Sequence, residues 1–328
     1  MAAARALAKK ARKGSDSFDL GDSCQNFPTP TQMRAFIWNG GAIQDLGTLG
    51  GTDSCALWVN EKGQVAGQSF TNSLPNPTTG VPTLHPFFWD GKRTHDVGSL
   101  GGAMSVVSQY NVGLNNGGQV VGVSTLAGDL VDHPFLWSKD VLMDLGTLGG
   151  DYGQATAIND AGQVVGDAYL PGNQTYDAFL WQNGVMTDLG TLGQNSLPNA
   201  INARGQVVGT SLMNDGTQHA FLWENGGPMI DLNVFVALES KLTLTNATSI
   251  NDRGEIAVQA VLSNGDQRAF LLRRCGEGIE GCTGAAGNIT VATQSPSAAN
   301  WTAVTAAPHF EHRSARRRDG HLISRSSN

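Results

Sequence analysis

"DAFLWQNGVMTDLGTLG", residues 177–193, reads as two short strands joined by a tight turn. Asn183-Gly184 is the kind of pair that a two-residue hairpin loop favours, since both of its positions need positive φ, and apolar runs flank it. The stretch decides the fold because it recurs. Ala178-Phe179-Leu180-Trp181 has counterparts at Ala35-Phe36-Ile37-Trp38, Pro86-Phe87-Phe88-Trp89, Pro134-Phe135-Leu136-Trp137, Ala220-Phe221-Leu222-Trp223 and, altered, Ala269-Phe270-Leu271-Leu272. Successive phenylalanines stand 51, 48, 44, 42 and 49 residues apart.

Three other blocks keep order with this one. An Asp-Leu-Gly block begins at Asp45, Asp144 and Asp188, reads DVGSLGG at Asp96, and at Asp231 decays to DLNVFVA. An Asn-x-x-Gly turn follows at Asn60, Asn115, Asn159, Asn202 and Asn251, and a strand of the type Gln163 to Gly166 follows each turn. Each unit therefore offers strand a (QATAIN), strand b (QVVGDA), strand c (DAFLW) and strand d (VMTDLG). Four antiparallel strands in 42–51 residues is the size of a propeller blade. The expected fold is all-β: a β-propeller of five four-stranded blades, or six if the surplus copy of strand c belongs to a further blade. An open β-repeat solenoid is the alternative. The repeat domain is expected to cover residues 34–274, between a basic, poorly ordered segment (1–33) and a Cys-flanked loop with a disordered basic tail (275–328).

Composition limits the function classes. Glycine accounts for 42 of 328 residues and charged residues for only 15%, which suits many short strands and turns. Residues 15–272 carry 9 Lys/Arg against 24 Asp/Glu, so the folded body repels phosphate backbones and a nucleic-acid partner is not expected. No apolar run approaches the length of a membrane span, and MAAARALAKKARKG lacks the continuous apolar core of a signal peptide. Cys275 and Cys282 flank a polar loop that a disulfide could close, and Cys24 could pair with Cys55. No Cys/His spacing suits zinc.

The combination of HAFLW at His219 to Trp223, DLGTLGG at Asp45 and Asp144, and INDRGEI from Ile250 resembles the HAF-repeat proteins, over about residues 35–272. The resemblance implies a propeller-like repeat fold and an extracellular or cell-envelope location; it implies no reaction. Complete His-Ala-Phe stands only at His219. Proline follows His85 and His133, and Arg34, Asp177 and Arg268 occupy the histidine's place elsewhere, so a catalytic role for that histidine in every unit is not expected.

The repeated aspartates read as acceptors of backbone N–H groups at a glycine turn, with Ca²⁺ binding as the alternative and no other cofactor expected. Trp38, Trp89, Trp137, Trp181 and Trp223 read as packing between blades. Trp58 stands where other units have Gly113, Ala157, Ala200 or Ser249, so it fills space at ring closure or stacks on a ligand. Extra residues fall in 68–85, 100–113 and 232–249, and in a meander all three segments are expected on the end of the blades opposite the tight turns. That end is the expected binding face, with Trp58, Asp53, Asp231, Asn233 and Glu239 as candidate ligand contacts. The expected function is a non-catalytic secreted scaffold that binds a glycan or protein. The alternative is a carbohydrate-active hydrolase or lyase whose carboxylates come from among Asp53, Asp129, Asp132 and Asp151.

Overall fold

The computed structural model describes residues 3–10, 31–77, 79–109, 111–236, 241–274 and 301–305. These residues form six antiparallel meanders in chain order. The first holds β1 (Ala3–Lys10), β2 (Thr31–Asn39) and β3 (Ala42–Gly47). The second holds β4 (Ser54–Val59), β5 (Val65–Phe70), β6 (Leu84–Trp89) and β7 (Thr94–Asp96). The third holds β8 (Gly101–Val107), β9 (Val120–Leu126), β10 (Asp132–Ser138) and β11 (Val141–Asp144). A single parallel bridge, Leu84 to Met104, links these last two. The fourth runs β12 (Gly153–Ile158), β13 (Val164–Tyr169), β14 (Tyr176–Gln182) and β15 (Val185–Asp188). The fifth runs β16 (Ser196–Ile201), β17 (Val207–Leu212), β18 (Gln218–Trp223) and β19 (Ile230–Asp231). The sixth runs β20 (Leu242–Ile250), β21 (Ile256–Leu262), β22 (Gln267–Arg274) and β23 (Trp301–Thr305). These meanders are the blades of a β-propeller. Among the described residues no helix is long and apolar enough to cross a membrane.

The repeat blocks hold this arrangement together by fitting one another. Gly166 on strand b lies opposite Phe179 on strand c, and a Cβ at Gly166 would stand 2.6 Å from the Phe179 ring. The glycine thus makes room for the phenylalanine, which is fully buried together with Phe87, Phe135 and Phe221. Four tryptophans share a buried cluster with the preceding blade, Trp181 with Val121, Leu136 and Leu145, and Trp223 with Val165, Leu180 and Leu189 among them. Trp38 departs from the expected packing, being 44% exposed, whereas Trp89, Trp137, Trp181 and Trp223 are buried. It belongs to the first of the described meanders.

The Asn-x-x-Gly turn does more than close a hairpin. Oδ1 of Asn159 accepts the N–H groups of Ala161 (3.1 Å) and Gln163 (3.0 Å), while its Nδ2 donates to Gln163 Oε1 (2.6 Å) and to the carbonyl of Asn202 on the next blade (2.9 Å). The same inter-blade bond runs from Asn60 to Asn115 (3.0 Å), from Asn115 to Asn159 (2.9 Å) and from Asn202 to Asn251 (3.0 Å). A serine of strand a makes a second link. Ser196 Oγ accepts the Ala178 N–H (2.8 Å) and donates to the Gly190 carbonyl (2.7 Å), as Ser54 does with Ala35 (3.0 Å) and Gly47 (2.6 Å). Where proline replaces that alanine the link has no N–H to use. Ser105, on the blade after Pro86, has a buried hydroxyl without a partner among the described residues, and opposite Pro134 the serine is replaced by Gly153.

Two segments placed outside the repeat domain by sequence reasoning contribute strands. β1 pairs with β2 and β23 pairs with β22, each along an otherwise open edge. Pairing of this kind depends on a backbone edge left free by tertiary structure and carries no repeat signature. Cys55 is buried and disulfide-bonded, with its partner outside the described residues. The expected Cys275–Cys282 ring lies wholly outside them.

Candidate functional site

Strand a carries a feature that its sequence does not announce. A β-bulge interrupts its pairing with strand b, between Ala56 and Trp58, between Ala155 and Ala157, and between Pro198 and Ala200. In the third blade the interruption expands. Val107 pairs with Gly122, and pairing resumes where Gly113 accepts the Val121 N–H (3.0 Å) and Leu114 bridges Val120. Ser108, Gln109, Asn111 and Val112 therefore fall where Thr156 alone stands in the fourth blade. This is where the extra residues of 100–113 reside, which corrects the expectation that all three insertions project from one end. Residues 68–85 do extend the b–c connection, and 232–249 extends the d–a connection through a 3₁₀ turn (Leu232–Phe235) and a long β20. The third insertion sits inside a strand because a bulge can absorb added residues without disturbing the register on either side.

The expanded bulge is pinned from both sides. Trp58 donates its indole N–H to the Ser108 carbonyl (2.6 Å), the Ser108 hydroxyl donates to the Thr156 carbonyl (2.7 Å), and Val112 accepts the Ile158 N–H (3.0 Å). A Cβ on Gly113 would lie 2.8 Å from Trp58 Nε1, so the large and small residues at this repeat position fit each other across the blade interface. Trp58 thus packs between blades, against the bulge, as a structural partner of Gly113.

Beside the bulge, between the third and fourth blades, lies a cleft of ≈ 290 Å³. Met104, Val106, Thr125 and Asp132 line it from the third blade, Gln109 from the bulge, and Tyr152 and Gln154 from β12 and the residue before it. Tyr152 is half-buried and Met104 is 47% exposed, giving the cleft an aromatic and a thioether surface. The Gln154 amide is held through Nε2 on Asp167 Oδ1 (3.0 Å). Burial, reinforced by Asp129, raises the pKa of Asp132 above the usual carboxylate range. The walls combine an aromatic ring, amides, a hydroxyl and one carboxylate, suited to a ligand with both apolar faces and hydroxyl groups.

The structure separates the other candidate residues from this cleft. Asp53 is buried, accepts the Met33 N–H (2.7 Å) and the Thr52 hydroxyl (2.7 Å), and so fastens the second blade to the first. Asp231 caps the 3₁₀ turn through the Asn233 N–H (2.8 Å). Asn233 then pairs with both backbone groups of Leu244, accepting its N–H (2.7 Å) and donating to its carbonyl (2.9 Å). In the degraded copy an asparagine clasp replaces the glycine turn. Glu239 lies outside the described residues. Asp129 accepts the Ala103 N–H (2.6 Å) and the Thr125 hydroxyl (2.8 Å), and Asp151 accepts the Asn173 side-chain N–H (2.7 Å). Of the four carboxylates considered for hydrolysis, Asp132 alone lines the cleft.

The repeated aspartates take two kinds of partner. Each of Asp45, Asp96, Asp144 and Asp188 accepts the N–H of the glycine two residues on, at 2.7–2.9 Å. Four of the five also meet an arginine or histidine of strand c: Arg34–Asp45 (3.4 Å), His85–Asp96 (2.9 Å), His133–Asp144 (2.8 Å) and His219–Asp231 (2.7 Å). The fourth blade sets Asp177 beside Asp188 instead. Asp177 is 7% exposed, its Oδ1 has no hydrogen-bond partner among the described residues, and burial together with Asp188 raises its pKa to about 6. Among the described residues no three His, Cys, Asp or Glu side chains gather as a metal site.

No family model and no curated protein matches the chain. Among solved structures, the β-propeller domain of the Trilobed protease from Pyrococcus furiosus is similar over 82% of this chain and 78% of that one, at 10% identity and a TM-score of 0.47. A puromycin hydrolase is similar over 74% of this chain and 40% of its own, at 14% identity and a TM-score of 0.46. Aleuria aurantia lectin is similar over 84% and 88%, at 13% identity and a TM-score of 0.32.

Proposed function

We propose that this chain is a non-catalytic binding propeller that holds a neutral saccharide in the cleft between its third and fourth blades. One observation carries the reading: an expanded bulge, pinned by Trp58 and Thr156, stands beside a cleft walled by Tyr152, Gln109, Gln154, Thr125 and Asp132. An aromatic ring supplies surface for the C–H face of a sugar, and amide, hydroxyl and carboxylate groups supply directional partners for its hydroxyls. A single carboxylate suits acceptance of a hydrogen bond, whereas glycoside hydrolysis by the common route needs two facing each other. The resemblance of the repeat to HAF-repeat proteins supports an extracellular or cell-envelope setting.

A screen of immobilised neutral oligosaccharides tests the reading. The expected result is specific retention of the full chain by a subset of glycans. Tyr152→Ala is expected to weaken it about tenfold or more, a loss of about 1.4 kcal/mol, without changing the far-ultraviolet spectrum. Retention of basic peptides instead, falling steeply with salt, would assign the cleft to a cationic partner.

A further inference from the structure

The cleft residues recur in register on neighbouring blades. Pairing with strand b shows that Met104, Val106, Thr125 and Asp132 of the third blade occupy the same repeat positions as Asn195, Leu197, Leu212 and Gln218 of the fifth. The fifth-blade set, with Thr210, lines a second, smaller cleft of ≈ 60 Å³, whose remaining wall is Tyr176 of the fourth blade. The fourth blade between them carries tyrosine at three of these positions: Tyr152, Tyr169 and Tyr176. Their rings form a continuous run, with Tyr152 and Tyr169 centroids 5.7 Å apart at 75° and Tyr169 and Tyr176 5.6 Å apart at 77°. Tyr152 belongs to the first cleft and Tyr176 to the second, so the aromatic run begins in one and ends in the other.

Resting on the saccharide reading above, we propose that the two clefts and the tyrosine run between them are one elongated site for a linear, neutral oligosaccharide. The chemistry is matched at both ends: Tyr152 with Gln154 and Thr125 in the first cleft, Tyr176 with Asn195, Gln218 and Thr210 in the second. Among the described residues no charged group lines the second cleft, which favours a neutral chain over a basic peptide. The three half-buried rings supply apolar surface in steps comparable to a sugar unit, and aromatic surface of this kind loses little entropy when a ligand seats on it. A chain spanning both clefts gains from each without a second association step, so affinity should rise with length.

The test is the dependence of affinity on chain length, measured by calorimetry with neutral β-linked glucose and N-acetylglucosamine oligomers of one to six units. Longer oligomers are expected to bind about tenfold or more tighter than the shortest that binds. Gln218→Ala, a change at an exposed residue, and Tyr176→Ala are expected to remove most of that gain while leaving the shortest binder unchanged. Equal affinity at all lengths, or a length gain untouched by both variants, would overturn the elongated site while leaving the first cleft as a saccharide site. Failure of every oligomer to bind would remove the saccharide reading itself, and this inference with it.

Discussion

Replacement of Asn159 by alanine is expected to lower the melting temperature by roughly 6–12 °C, for a domain of this size losing about 3 kcal/mol. Its side chain is 7% exposed and serves four partners: two turn N–H groups, Gln163 Oε1 and the Asn202 carbonyl of the next blade. Alanine removes all four at once and leaves buried polar groups unpaired, which is the costly way to lose a hydrogen bond. Asn251 provides the internal comparison. It closes its own turn through Arg253, Glu255 and the Glu255 carboxylate, all within the sixth blade, and it is exposed. Asn251→Ala is therefore expected to cost clearly less. Differential scanning calorimetry of both variants decides the matter: equal shifts would mean that the inter-blade bond contributes nothing beyond the turn.

Asp177→Asn is expected to stabilise the protein at pH 8 and to do nothing useful in acid. Asp177 occupies the strand c position that holds Arg34, His85, His133 or His219 in other blades, yet it faces Asp188 with no cation between them. Burial and this neighbour raise its pKa from the ordinary 3.8 to about 6. The folded state therefore keeps a proton that the unfolded state loses between those two values, so stability falls as pH rises through that window and stays lower above it. Asparagine has no such equilibrium and can donate an N–H to Asp188. The gain at pH 8 is expected to be about 1–2 kcal/mol, or roughly 3–6 °C, and to shrink toward zero near pH 4. The buried Asp167, also raised to about 6, is present in both proteins and cancels in the difference. A difference in melting temperature that stays constant across this pH range would refute the account.

Much of the fold was legible because each repeat block has a local cause. Positive φ at Asn183 and Gly184 is written in the residue types, as is the glycine turn after each aspartate. The pairing of Gly166 with Phe179 follows once strands b and c are in register, and the tryptophan positions then face the preceding blade. Trp38 shows the limit, since it keeps the same place in its repeat as the four buried tryptophans and is nonetheless 44% exposed.

The candidate site was not legible in the same way. The residues singled out for binding were those that broke the repeat, and a broken repeat proved to be repaired structure: Trp58 fills space against Gly113, and Asn233 replaces a glycine turn by gripping Leu244. Spacing revealed that 100–113 was long but could not say whether the excess lay in a connection or inside a strand. The cleft residues Tyr152 and Gln154 obey the repeat length and so raised no signal, while Asp132 stood out only as one of four unrepeated carboxylates, with nothing in its spacing to set it apart from Asp53, Asp129 or Asp151. One clue was present: three of the chain's four tyrosines fall within one repeat, at residues 152, 169 and 176.

The sequence by itself determined the blade: four strands, their turns, the buried Gly–Phe pair and the asparagine at each a–b turn, because these depend on contacts within one repeat, local in the chain. Only the tertiary structure decided where a ligand could sit. The cleft is made by two blades and a bulge, and its tyrosine run by side chains brought side by side from β13, β14 and the residue before β12. Such juxtapositions depend on how blades pack, which no single repeat encodes.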